Sequence, residues 1–181
     1  DMRYTFLTLL TLGLIFSSCE KSSTPSNTEH SEPTKLVITL TDITDASKTS
    51  TFSWSDVDGS GGAAPIIDTM KVNAGKTYRG TIKVYDNKNT DITSSIQNEK
   101  DAHQFFYQAK DGVAIRMSVG VNDKDSKNLP VGLDITVSVL TGGSASGLLN
   151  VVLSHFDGIV KDGTTKSPES DIDIDFPVRI Q

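Results

Sequence analysis

The chain has a single cysteine, Cys19, so no disulfide can close within it and no thiolate cluster can hold a metal. Its longest apolar run, Thr5 to Phe16, is about a dozen residues, short of the roughly 20 that a membrane-crossing helix needs. Cations are in the minority: 17 Lys and Arg against 23 Asp and Glu leave a net charge of −6. Nucleic acid is therefore not an expected partner, because neutralising phosphates takes clustered Lys and Arg. Catalytic signatures are missing as well. There is no nucleophile elbow, no Ser-His-Asp order, and no glycine loop placed between a strand and a helix to cradle phosphate. Gly142-Gly143-Ser144-Ala145-Ser146-Gly147 opens into a strand and reads as a hairpin loop. Enzymatic activity is not expected.

What is present begins with a short basic start and the apolar run, the pattern of a signal peptide over residues 1–18. Phe16-Ser17-Ser18-Cys19 resembles the bacterial lipobox, in which small residues precede a cysteine that is lipidated and becomes the new N-terminus; Phe16 stands where a leucine-like residue is usual. An inert free thiol is the alternative. With lipid on Cys19, the folded part is left with carboxylates, imidazoles and hydroxyls as its chemistry. Loss of residues 1–18 removes Asp1 and Arg3, one charge of each sign, so −6 remains. Residues 20–34 contain no large apolar side chain and cannot offset the entropy of ordering, so residues 19–34 read as the lipidated cysteine and a flexible tether. The stretch 35–181 is one domain's worth of chain, long enough for a core.

Alternation with period two recurs through that stretch. Leu36, Ile38 and Leu40 oppose Val37, Thr39 and Thr41, and Phe52 and Trp54 oppose Thr51, Ser53 and Ser55. Tyr78, Ile82 and Val84 form a third face. Val113, Ile115, Met117 and Val119 form a fourth, and Ile135, Val137 and Val139 a fifth. Leu149, Val151 and Leu153 follow. Ile172, Ile174, Phe176, Val178 and Ile180 oppose Asp171, Asp173 and Asp175. With weaker runs at 69–72 and 104–109, about nine strands result, separated by Gly, Asn and Asp clusters suited to hairpins. The expected fold is all-β: an immunoglobulin-like antiparallel β-sandwich with one short helix. Pro177 lacks an amide donor, which puts the last strand at an edge or at a bulge. Residues 91–103 break the alternation and read as the helix, with Ser94 and Gln97 spaced as a capping box.

On that helix Ile92, Ile96, Glu99 and His103 fall on one stripe, and the face of Leu149, Val151 and Leu153 continues to His155. Both histidines thus end faces pointed at the core, where an unpaired polar group is costly. Two imidazoles with Glu99, helped by Asp101, suit zinc or another divalent transition metal. A plainer reading has Glu99 and His103 paired on the helix surface and His155 bonded to a loop carbonyl. A hydrolase built on that metal is the one catalytic reading with residue support. Calcium is the weaker alternative cofactor: Asp56, Asp58 and Ser60, ahead of Gly61 and Gly62, have the acid-then-glycine look of a calcium loop, although Ile67 stands where an EF-hand needs glutamate. A solvated glycine-rich loop accounts for the same residues. Asn122-Asp123-Lys124-Asp125 reads as a turn, and the row Asp171, Asp173, Asp175 as an edge strand kept from aggregating.

Several of these stretches together carry a resemblance: Leu36-Val37-Ile38-Thr39-Leu40, Asp56 to Gly62, Asp91-Ile92-Thr93 through Glu99 to His103-Gln104-Phe105-Phe106-Tyr107, and Asp171 to Phe176. The chain resembles a group of small lipoproteins of Bacteroidota, often encoded beside TonB-dependent outer-membrane receptors. The resemblance implies a lipid-anchored, non-enzymatic accessory at the outer membrane, facing periplasm or cell surface, that binds a nutrient, such as a metal or metal complex, for TonB-dependent uptake. The receptor or another envelope protein would be its partner. Glu99, Asp101 and His103 match the acidic residues that precede the histidine in such proteins, whereas Ser95 stands where a further glutamate is expected. A structural or protein-interaction module of an envelope complex, with no small ligand, is the rival expectation.

Overall fold

The computed structural model describes residues 32–59 and 61–181. The signal peptide and the lipidation expected at Cys19 lie outside the described residues, as does Ser60. Ten strands and one helix follow in order: β1 (Pro33–Asp42), β2 (Asp45–Ser55), β3 (Ile66–Ile67), β4 (Met70–Val72), β5 (Thr77–Asp86), α1 (Thr93–Asn98), β6 (His103–Asp111), β7 (Met117–Val121), β8 (Asp134–Val139), β9 (Ala145–His155) and β10 (Ser170–Ile180). They form a six-stranded sheet, β3-β2-β1-β5-β8-β7, and a four-stranded sheet, β4-β10-β9-β6. The arrangement is the all-β sandwich that the alternation calls for. β1 starts at Pro33, two residues ahead of the expected domain boundary.

Alternation builds the core directly. Ile38 lies between Phe52 on β2 and Ile82 on β5, and Leu36 between Trp54 and Val84. From the other sheet Leu149, Val151, Leu153 and Phe176 add side chains with no exposure, all in one apolar cluster. Gly80 sits in register with Leu40 and Ile135, and a Cβ there would lie 2.6 Å from Ile135 Cγ1, so the inward face closes only over a glycine.

Three expectations need correction. Residues 112–116 are turns, not strand: Met117 N bonds Val113 O at 2.9 Å, so the buried pair Val113 and Met117 is spaced as a helical turn, and Ile115 is thrown out to 83% exposure. Helix α1 spans only 93–98 and has no side-chain cap. Instead of a Ser94 cap, Thr93 Oγ1 accepts from Val84 N at 2.9 Å and staples the helix start to β5. The sandwich is not wholly antiparallel, because β4 pairs β10 in parallel. The expectation for Pro177 holds: β10 lies between β4 and β9, but β4 covers it only from Val178 onward, so at Pro177 it has the character of an edge.

Turns are fastened by carboxylates. Asp42 accepts from Thr44 Oγ1 and N at 2.6 and 2.8 Å and meets Lys76 Nζ at 3.0 Å. The Thr44 hydroxyl and amide, then the Lys76 ammonium, hold its carboxyl far below the ordinary 3.8. Asp86 is lowered in the same sense, chiefly by the Thr90 amide. A group whose folded pKa is depressed contributes stability that is complete above its unfolded value and is lost as pH falls below it. Thermal midpoints should therefore drop steeply below about pH 4, the ordinary carboxylate range, and Asp42→Asn should flatten that acid limb.

Candidate metal centre

The two histidines of the domain are cross-strand partners. His103 opens β6, His155 closes β9, and the register sets them opposite each other. Their rings stack with centroids 4.6 Å apart and planes 9° from parallel. Both lie on the core-facing side of their strands, in line with Phe105 and Leu153, which is why His103 is only 3% exposed.

Asp171 joins them. The register of β10 on β9 shifts between Ser170 and Ile172, and such an irregularity re-aims a side chain. Asp171 thereby leaves the row of Asp173 and Asp175 and brings its two oxygens toward the imidazoles: Oδ2 lies 3.6 Å from His103 Nε2 and Oδ1 4.0 Å from His155 Nδ1. One potential ligand atom from each of the three residues falls within a 4.8 Å span.

Glu99 takes a different part from the one its spacing suggests. The helix ends at Asn98, so Glu99 and His103 share no helical stripe. His103 Nδ1 faces the Glu99 backbone oxygen at 3.1 Å, with the Glu99 carboxylate at 4.0 Å. A carbonyl oxygen can only accept, so Nδ1 is the nitrogen that donates to it and Nε2 is the one that faces Asp171, the arrangement common behind metal-binding histidines. Asp101 is not part of the group: its carboxylate accepts from Ser126 N at 2.9 Å and from the Ser126 hydroxyl.

Two imidazole nitrogens and a carboxylate are a donor set for a borderline divalent ion. Donors on a tetrahedral zinc ion with bonds of roughly 2.0–2.1 Å lie about 3.3 Å apart. His103 and Asp171 are near that separation, whereas His155 has to tilt out of the stack toward them. His103 supplies a buried anchor, while the side chains of His155 and Asp171 keep 23% and 30% exposure. An ion held there would retain positions open to an outside ligand.

A buried ion pair supports the site from behind. Lys161, from the loop 156–169 that links β9 to β10, meets Asp125 Oδ2 at 2.9 Å, with side-chain exposures of 2% and 1%. Its ammonium also donates to the backbone oxygens of Lys100 and His103, each at 2.9 Å. Burial pushes the Asp125 carboxyl up, but the Lys161 ammonium and the amides of Leu129 and Lys127 outweigh it and hold it below the ordinary range. The same loop returns across the outer face of the four-stranded sheet, where Gln104 Nε2 donates to Gly163 O at 3.0 Å and Lys166 Nζ to Asn150 Oδ1 at 3.2 Å. Val152, on that face, is accordingly 2% exposed.

The glycine-rich loop places its acids otherwise. Asp58 Oδ2 accepts from Ala63 N at 2.8 Å and so ties its own turn, while Asp56 Oδ1 is buried with no hydrogen-bond partner among the described residues. Asp123 likewise spends both oxygens on the amides of Gly132 and Leu133, at 2.9 and 3.0 Å, and the turn expected at 122–125 instead falls over Asp125 to Asn128, where Asn128 N donates to Asp125 O at 3.2 Å. Among the described residues the cluster of His103, His155 and Asp171 is the one group of metal-ligating side chains, and no helix is long and apolar enough to cross a membrane. No protein-family model, curated protein or solved structure matches the chain.

Proposed function

We propose that this chain is a lipid-anchored, non-enzymatic protein of the outer membrane that binds a divalent transition metal, or a small complex of one, through His103, His155 and Asp171, for delivery to a TonB-dependent receptor. The observation that carries the metal reading is the convergence of a cross-strand histidine pair and a bulged aspartate, with His103 Nδ1 held 3.1 Å from a backbone carbonyl. Partial exposure of His155 and Asp171 suits cargo that must be taken up and released, since a structural zinc site is closed by four protein ligands. The anchor and the receptor rest on the lipobox-like Phe16 to Cys19 and on the resemblance to lipoproteins encoded beside such receptors.

A ligand that binds only the folded state raises stability by RT ln(1 + [L]/Kd), about 2.7 kcal/mol at a hundredfold excess over Kd. Zinc added to the chain should raise its thermal midpoint, chelator should reverse the rise, and His103→Ala or Asp171→Asn should abolish it. Calcium should have little effect. A rise that survives both substitutions would move the site elsewhere, and no response to zinc, copper or iron would leave the protein-interaction module as the better account.

A further inference from the structure

A second surface has the chemistry of a binding site. The strands carry seven Lys and Arg side chains among the described residues. Lys48, Arg79, Lys83 and Lys110 each pair with an aspartate, and Lys35 reaches Asn89 and the Tyr85 ring. The remaining two, Lys71 and Arg179, form no ion pair among the described residues and face each other in register across the parallel strands β4 and β10. Arg179 is also in register with Ser146 on β9. Inward-facing neighbours Met70, Val72, Val178 and Ile180 are buried, so Lys71 and Arg179 both point outward and are exposed.

Parallel neighbours lie about 4.8 Å apart, and like charges set directly opposite each other destabilise a sheet. An anion shared between the two would relieve such a juxtaposition. The pair lines a cleft of about 560 Å³ with Ser144, Ser146 and Gln181. The rim therefore combines a planar guanidinium able to bind two oxygens at once, a point-charge ammonium and two hydroxyls, which is the donor set that phosphate and sulfate groups take. Arg116 donates to Gly143 O at 3.1 Å and holds the approach to Ser144 in place.

We infer that Lys71, Arg179 and Ser146 form a binding site for a phosphate or sulfate monoester group, separate from the histidine cluster. The ligand is an anionic headgroup or a free phosphate, and the shared chemistry is a tetrahedral oxyanion held across three strands.

The test is a nitrogen–proton correlation titration of the chain with inorganic phosphate, against sodium chloride at matched ionic strength, with a parallel arm of phosphatidylcholine vesicles with and without phosphatidic acid. Saturable shifts are expected at the amides of Lys71, Arg179 and Ser146. Arg179→Gln should weaken binding roughly tenfold or more, as loss of a charge-assisted hydrogen bond does. Arg179→Lys should fall between it and the native chain, while Lys124→Gln, an exposed cation elsewhere, should leave affinity unchanged. All three side chains are exposed, so folding is not at stake. Association with acidic vesicles that depends on Arg179, without phosphate saturation, would assign the group to a lipid headgroup. Shifts that scatter over the lysines, or that Arg179→Gln does not alter, would overturn the site, as would no response in either arm.

Discussion

Lys161→Met is expected to lower the stability of the fold by about 3–5 kcal/mol, the usual result of removing one partner of a buried ion pair. For a domain of this size that corresponds to a fall of roughly 6–20 °C in the thermal midpoint. The loss is large because the ammonium meets three groups at once: the Asp125 carboxylate and the backbone oxygens of Lys100 and His103. Its removal strands a carboxylate with 1% side-chain exposure. Neutralising that charge should undo much of the damage. Asp125→Asn keeps an oxygen for the amides of Lys127 and Leu129, which lie 2.9 and 2.8 Å from Oδ1, so the double variant should be clearly more stable than Lys161→Met alone. The contact also clamps the loop 156–169 to His103, so amide exchange in that loop should quicken in the single variant. A double variant no better than the single would show that Lys161 acts through packing and not through charge.

Phe105→Ala should cost a similar amount, about 3–5 kcal/mol, as large aromatic truncations in a core do. Phe105 is 1% exposed, its amide donates to Val131 O at 2.7 Å, and its ring lies 6.2 Å from that of Tyr107. The surroundings cannot close over the void easily. Gly132 holds φ at +99°, and a Cβ there would come within 2.7 Å of Phe105 Cβ, so the backbone already packs against the side chain. Next door, Tyr107 donates to Gly132 O at 2.6 Å, and burial pushes its phenol well above the ordinary value. Phe106→Ala is the control: that ring faces the other side of the sheet and is half-buried, so its truncation should cost far less. Chemical denaturation of the two variants measures the difference, and equal costs would contradict the placement of β6.

Much of the fold was legible because period-two alternation is enforced by burial itself. Leu36, Ile38 and Leu40 had to share a face, and so did Ile172 to Ile180. Where another geometry satisfied the same apolar positions, the pattern misled: Val113 and Met117 are buried by a turn of four residues, not by a strand, and Ile115 between them is exposed. The two histidines were readable as the ends of inward faces. Their direct opposition depends on the register of β6 with β9, which no local sequence carries. Alternation alone puts Asp171 in a row with Asp173 and Asp175, because it has no symbol for a register shift; a shift beside Ser170 is what turns it to the site. Glu99 misled in the opposite sense, since its spacing from His103 counts only while the helix lasts, and the helix stops at Asn98. Lys161 left no signal at all. Its loop mixes acids, glycines and hydroxyls with Phe156, Ile159 and Val160, and only the folded chain reveals that this cation is buried.

The most direct test of the account is calorimetric titration of zinc into the chain, beside His155→Ala and Asp171→Asn. The account predicts one ion bound per chain, with affinity falling at least tenfold in each variant, as loss of a ligand worth more than about 1.4 kcal/mol requires. Binding that neither substitution weakens, or no saturable heat at all, would contradict a metal centre at His103, His155 and Asp171.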